Sequence, residues 1–378
     1  MRFATDPATL ERVLGASGDV LPLWVAEPAL PLAPAVVEAT TRRAAAGWYG
    51  YESRPASLDE AVVAWHRQRH GWDLAPLLRQ VSPSVATSLG VLLEALCAPG
   101  DGVLLQPPVF TDFKPLVRAG GLRPVTAPLR LAGDRYVMDL EALAARAAAP
   151  DVRVLVLCSP HNPVGRVWTH EELAALARIC AENDVVVLAD ELHADVVLPG
   201  HTFVPFAVAG AGTGVRWAAM HGPLKTFGLA GMADTLLVTD DEELHRAFAR
   251  RSDQLHLTRN HVVELAAMEA AYRRGGPWLD TLLADTARRA ERLAAALPDP
   301  LRLLPLEGTY LGWLDLRALD LDVHELTRWL VDRARIAVSP GHWFGREGAG
   351  FARLTLAVED DVLDEAARRL TAAVEADR

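Results

Sequence analysis

Apolar positions along this chain follow two periods, which alternate from about residue 84 onward. Ser84 to Ala98 carries Val85, Leu89, Leu92, Leu93 and Leu96 at helical spacing. GVLLQPP (102–108) reads as a short strand stopped by two prolines, and Asp139 to Ala149 as an alanine-rich helix. VRVLVLCSP (152–160) is almost uninterrupted, as expected of a strand buried on both faces of a parallel sheet. Thr169 then opens a helix as its N-cap, with Glu172 at the capping-box position. DVVVLADE (184–191) predicts a second buried strand, and VRWAAMHG (215–222) and DTLLVTD (234–240) two more. Strand and helix in repeated alternation predict an α/β domain with a mainly parallel sheet.

The last third loses this rhythm. Helical patterns at 259–274 and 280–296 precede TYLGWLDL (309–316). A helix at 323–335, the strand FARLTLAV (351–358) and a last helix from about 361 to 376 come after it. This mixture predicts a smaller α+β domain packed closely on the first. No internal repeat, low-complexity tract or long linker separates them.

Composition narrows the class. Of 378 residues, 51% are hydrophobic and 23% charged, ordinary for a soluble globular enzyme. A formal net charge of −11 without a basic tract argues against nucleic-acid binding. MRFATDPATLERVLG lacks the apolar core of a signal peptide, and no apolar run approaches a membrane span, so a cytoplasmic protein is expected. Cys97, Cys158 and Cys180 are widely spaced with no CxxC pair; they read as reduced, mostly core thiols, not metal ligands.

In open α/β sheets, ligands bind beyond the carboxyl ends of the strands. Three segments stand there. Ser159 to Arg166 (SPHNPVGR) comes after the first buried strand, Asp190-Glu-Leu-His193 after the second, and Lys225 after the third. An amide, a carboxylate, an imidazole and an amine would converge at one sheet edge. Each has a plainer reading: Asp190 as a helix cap, Asn162-Pro163 as a turn, His193 as a satisfied core histidine, Lys225 as a loop lysine reaching water. Together, in this order, they match what pyridoxal 5'-phosphate needs: an amine, a partner for its ring nitrogen, and donors for its phenolic oxygen and phosphate.

The chain resembles the fold-type I pyridoxal-phosphate enzymes of the class I/II aminotransferase superfamily, specifically the cystathionine β-lyase-like (MalY/PatB) branch. The blocks that carry the likeness are LPLWVAEP (21–28), GWYGYESRP (47–55), PGDGVLLQPPVF (99–110), CSPHNPVGRVWTHEEL (158–173), DELHADV (190–196), LKTFGLAG (224–231), EGTYLGWLDLR (307–317) and GFARLTLA (350–357). The resemblance implies a large domain over 41–280, with a mainly parallel central sheet flanked by helices. Residues 1–40 and 281–378 would form the small α+β domain. It implies Lys225 as the Schiff-base lysine and Asp190 as partner of the pyridine nitrogen. Asn162 and His193 would serve the phenolic oxygen and ring, and Phe110 would stack on that ring. Ser84, Val85 and Ala86 would cup the phosphate, and Tyr51 would reach the phosphate and substrate of a neighbouring subunit in a homodimer. Arg353 would bind the substrate carboxylate, with Glu27 also at the substrate.

Departures accompany the likeness. The phosphate loop reads Pro83-Ser84-Val85-Ala86 where the family has a glycine, and Gly222-Pro223-Leu224 replaces small hydroxyl residues before the lysine. Ala233 stands where many aminotransferases have a phosphate-binding arginine, and Gly228 replaces an asparagine. WVAEP replaces a WVAD-type block, and RLN has become Arg353-Leu354-Thr355. The branch implies C–S β-lyase chemistry on an amino acid. Alternatives are an aminotransferase, a pyridoxal-phosphate enzyme repurposed for decarboxylation or oxidative deamination, and a cofactor-binding regulator with little turnover.

Overall fold

The continuous apolar runs become the centre of a sheet. In the computed structural model, which describes residues 2–258 and 261–377, seven strands pair in one layer. They are β1 (Leu78–Ser82), β2 (Gly102–Leu105), β3 (Arg123–Thr126), β4 (Val152–Cys158), β5 (Val186–Asp190), β6 (Trp217–His221) and β7 (Thr235–Thr239). Their order is β1-β7-β6-β5-β4-β2-β3. From β6 to β3 all neighbours are parallel, and β7 is antiparallel to both β6 and β1. β6 and β7 are buried at every position. With helices on both faces, a parallel sheet has no wet side, which is why these runs do not alternate.

Helices enter where the local signals place them. Thr169 and Glu172 form a complete capping box at the start of α4 (His170–Glu182), a device that contributes about 1 kcal/mol. Ser84 caps α2 (Val85–Leu96) by accepting from Thr87 N, and Asp139 caps α3 (Leu140–Ala147) by accepting from Ala142 N. Helix α1 (Ala56–His70) ends on Gly71, whose left-handed backbone ends the helix without side-chain strain. The pattern at 259–274 yields a helix over Val262–Arg274; its first two positions lie outside the described residues.

The last third forms a four-stranded antiparallel sheet, β8 (Arg302–Leu303), β9 (Leu311–Asp315), β10 (Ser339–Pro340) and β11 (Phe351–Thr355), in the order β8-β9-β11-β10. One face packs Leu314, Ala352, Leu354 and Leu356 into a cluster with Leu363 and Leu370 of the final helix, Asp360–Ala376. The other turns Phe351 and Trp313, stacked at 5.2 Å, toward the main core. Two expectations change in detail. The helix expected over 323–335 is α-helical only for Val323–Arg328 and widens into a π-turn at Trp329–Arg333, closed by Ala334 N donating to Trp329 O. The strand expected to reach 358 ends at Thr355; Leu356 N still donates to Tyr310 O, and Ala357 O then accepts from Ala29 N of the N-terminal segment.

Candidate active site

The register of the parallel strands places Cys158 beside Asp190, and Asp190 beside Met220. The segments after β4, β5 and β6 therefore share one sheet edge. Lys225 sits in a one-turn helix, α5 (Pro223–Thr226), just beyond β6. Its Nζ donates to Ala26 O at 2.8 Å. Burial and the Arg353 guanidinium lower its pKa to about 8, against the pull of Asp190 and Glu27. A lysine so placed is a nucleophile and base near neutral pH.

Asp190 closes β5. Burial raises its carboxyl to about 6, although Leu192 N donates to Oδ1 at 3.2 Å. Two residues beyond Glu191, His193 is buried, its Nδ1 has no hydrogen-bond partner, and burial holds its pKa well below the ordinary value. Its ring meets that of Tyr310 edge-on at 5.9 Å.

Arg353 reaches the same edge from β11. It is buried, so the surface ion pair that most arginines make does not describe it. Its Nη1 donates to Asn162 Oδ1 at 3.0 Å, and Nη2 donates to Trp24 O at 3.0 Å and Ser339 Oγ at 3.2 Å. Nε has no partner, and the guanidinium lies 4.9 Å from the centre of the Phe344 ring. Burial lowers its pKa to about 10. Because Asn162 accepts through Oδ1, its Nδ2 remains available as a donor.

Phe110 is half-buried and borders a cavity of about 490 Å³ shared with Phe344, His342 and Lys114. Glu27 is half-buried and its carboxylate acts on both Lys225 and Tyr310. Ser84 Oγ is spent on its own helix, bonding Thr87 N and Thr87 Oγ1. As first helical residues, Val85 and Ala86 have no intrahelical acceptor for their N–H groups. Gly228 has φ +69°, a left-handed conformation open to glycine and asparagine, so this exchange keeps the backbone. Tyr51 is apart: it is 92% exposed, with Trp48 and Tyr49 also 55% and 59% exposed.

The structure thus brings Lys225, Asp190, Asn162, His193, Arg353 and Glu27 close to one another beyond the sheet edge and leaves Tyr51 on the surface. Sequence reasoning missed Tyr310, Ser339, Phe344 and the carbonyls of Trp24 and Ala26. Tyr310 and Trp24 lie inside distinctive blocks, but nothing local marks them as neighbours of Arg353 and His193.

A predominantly parallel sheet with a half-buried lysine and carboxylate, and a buried imidazole and arginine, gathered at its carboxyl edge has the layout of an α/β enzyme. The chain belongs to the aminotransferase class I and II family, whose profile matches residues 18–370. Cystathionine beta-lyase PatB of Bacillus subtilis is 34% identical over 362 residues, covering 94% of this chain and 93% of the relative. Cystalysin of Treponema denticola, whose crystal structure contains pyridoxal 5'-phosphate, superposes with a TM-score of 0.92 at 25% identity, covering 98% of this chain and 94% of that one. N-succinyldiaminopimelate aminotransferase of Mycobacterium tuberculosis gives 0.86 at 27% identity, over 99% and 97%. No helix among the described residues is long and apolar enough to cross a membrane.

Proposed function

We propose that this chain is a pyridoxal-phosphate-dependent enzyme acting on an amino acid, and that its reaction is C–S β-elimination. The observation that carries this reading is Lys225: a half-buried amine lowered to about 8, set near Asp190 and an arginine with no carboxylate partner among the described residues. The residues present fit the cofactor. His193 Nδ1 is a buried nitrogen with no partner among the described residues, Asn162 Nδ2 is a spare donor, and Asp190 is a half-buried carboxyl. Lys225 and Asp190 would hold its aldehyde and ring nitrogen, Asn162 and His193 its phenolic side, and Phe110 its ring face. The N–H groups of Val85 and Ala86 would hold its phosphate, with Ser84 contributing through its backbone N–H, since its Oγ caps the helix. When bound, the cofactor supplies an electrophile for the substrate amine and an electron sink for the Cα electrons.

The chain's own groups do the rest. Arg353 presents a desolvated fork to the substrate carboxylate, fixing Cα within reach of Lys225. Lys225 Nζ, tethered beside it, takes the Cα proton. The Cβ–S bond then breaks with its electron pair leaving on sulfur, and the products after hydrolysis are pyruvate, ammonia and a thiol. The large domain over 41–280 and the small domain from 1–40 and 281–378 would form the two walls of this cleft. Tyr51, exposed with Trp48 and Tyr49, belongs to a surface that a second copy would cover, carrying Tyr51 to the partner's phosphate and substrate. Cys158 and Cys180 are buried single thiols, in keeping with a reducing cytoplasm.

The 34% identity to a cystathionine beta-lyase over nearly the whole chain favours elimination. The likeness to an aminotransferase at TM-score 0.86 keeps transamination as the second reading. Cofactor-loaded protein should release pyruvate from cystathionine or an S-alkyl cysteine. Borohydride treatment should fix the cofactor on Lys225 and not on Lys114, the only other lysine. Amino-group transfer to an oxo acid without pyruvate release would replace elimination by transamination; label on Lys114 would remove the site altogether.

A further inference from the structure

A second buried polar group lies directly behind the lysine turn, and the proposed elimination does not use it. Thr226 comes next to Lys225 in the chain, is fully buried, and its Oγ1 donates to Asp195 Oδ2 at 2.8 Å. The other oxygen, Asp195 Oδ1, accepts from Trp65 Nε1 at 2.8 Å and lies 2.8 Å from His70 Nε2. One buried carboxylate is thus tied to α1 twice and to α5 once. Burial opposes the charge on Asp195, but the His70 hydrogen bond, the nearby histidines and Thr226 draw its pKa below the ordinary value.

The placement of these ties is informative. Helix α5 is a single turn, closed by Phe227 N donating to Pro223 O, and a turn this short does not hold its orientation alone. Asp195 ends the tight segment that begins at Asp190 and carries His193, closed by Ala194 N donating to Glu191 O and Val196 N donating to His193 O. The same carboxylate therefore joins the segment bearing Asp190 and His193 to the turn bearing Lys225. A generic buried carboxylate needs donors from somewhere. This one draws a donor from the residue next to the reacting amine.

We propose that Asp195 is a positioning residue. Through Thr226 Oγ1 it fixes the direction in which Lys225 leaves its one-turn helix, with Trp65 and His70 of α1 as the anchor. This rests on the reading of Lys225 as the reacting amine. Lys225 faces Arg353, Asp190, Glu27 and Asp112, so a turn of the lysine changes its distances to all four charges and with them its ionisation.

Thr226→Val removes the hydroxyl and keeps the shape, and Thr226→Ser keeps the hydroxyl. Thr226→Val should lower kcat about ten- to a hundredfold, the scale of a misplacement near 1 Å, with KM within about threefold. The second measurement needs neither cofactor nor turnover. The chain has two lysines, so trace acetylation of cofactor-free protein across pH, with peptide mapping, reads Lys225 with Lys114 as internal reference. The Lys225 midpoint should move by about half a pH unit or more in Thr226→Val and return in Thr226→Ser. Should Thr226→Val fail to fold, Trp65→Phe and His70→Gln loosen the same carboxylate and should shift the midpoint by less. Variants that are less stable yet keep the wild-type Lys225 midpoint and kcat per folded molecule would overturn the proposal. A wild-type chain with no turnover would count against the proposed reaction, and the acetylation profile would still decide the positioning role.

Discussion

Two buried arginines, one in the loop after β4 and one in β11, show how differently the molecule treats the same side chain. Arg166 ends the HNPVGR block and is matched charge for charge. Its Nε donates to Glu307 Oε2 at 2.9 Å, Nη2 to Glu172 Oε2 at 2.7 Å, and Nη1 to Tyr136 O, with the Trp168 ring 4.5 Å away. Glu307 also accepts from Arg135 Nε at 2.6 Å and Val167 N at 2.9 Å. Arg353 is as deeply buried but meets only neutral acceptors, Asn162, Trp24 O and Ser339, and its Nε meets none. A matched network of buried charges is a staple, here joining the 159–167 loop to residue 307. An unmatched buried cation is a standing cost that an anionic ligand offsets. Arg166 ties its loop to Glu307 and Glu172; Arg353, on the reading proposed above, would take the substrate carboxylate.

The contrast stands only if the cleft around Arg353 is where the reaction occurs. The largest expected effect is therefore that of Lys225→Ala, which should cut turnover about a thousandfold or more while leaving the fold intact by circular dichroism. Turnover within tenfold of wild type would move the reaction elsewhere and leave Arg353 without its assigned purpose.

Next come the arginines themselves. Arg166→Ala strands two carboxylates and should cost about 3–5 kcal/mol in urea unfolding, with activity per folded molecule largely kept. Arg353→Ala should cost less than half of that in stability. It should lower kcat/KM by about ten- to a hundredfold, mostly through KM, since a charge-assisted bond contributes about 1.5–3 kcal/mol. Arg353→Lys should recover only part, because an ammonium presents no fork. If the two alanine variants lose stability and activity in the same proportion, the distinction between staple and receptor disappears.

The smallest effect is a pH dependence. Lys225 has a folded pKa of about 8, below its ordinary 10.5, so between these values the unfolded chain holds the proton and the folded chain does not. Stability of the cofactor-free protein should rise with pH across that window. Asp190 works in reverse: its folded pKa of about 6 exceeds 3.8, so its contribution to stability is lost as pH rises from 3.8 through 6. Arg353→Ala removes the second cause of the lysine's lowered pKa and should narrow the upper window. Arg166→Ala should leave it unchanged, which denaturant titrations at a series of pH values would show.

Much of this was legible in the sequence. The runs at 152–158, 186–190 and 217–221 announce buried parallel strands by their lack of alternation, and chemistry sits directly after each. Asn162, Asp190 and Lys225 could be placed at one sheet edge because sheet geometry turns a local pattern into a shared position. The strand at 351–358 was legible as well, and the period of two, a property of the backbone, sets Arg353 on the same face as Phe351. The meaning of the two arginines was not legible. Both lie in distinctive blocks, and the letters around them do not say which is neutralised. Arg166 finds Glu307 across 141 residues, and Arg353 finds Asn162 across 191. Thr226 and Asp195, 31 apart, look like a helix end and a loop acid until they meet. Local periodicity decides which residues become strands and which side chains stand at their ends, because it depends on neighbours in the chain. Whether a buried charge is matched depends on neighbours in space, and only the folded chain supplies those.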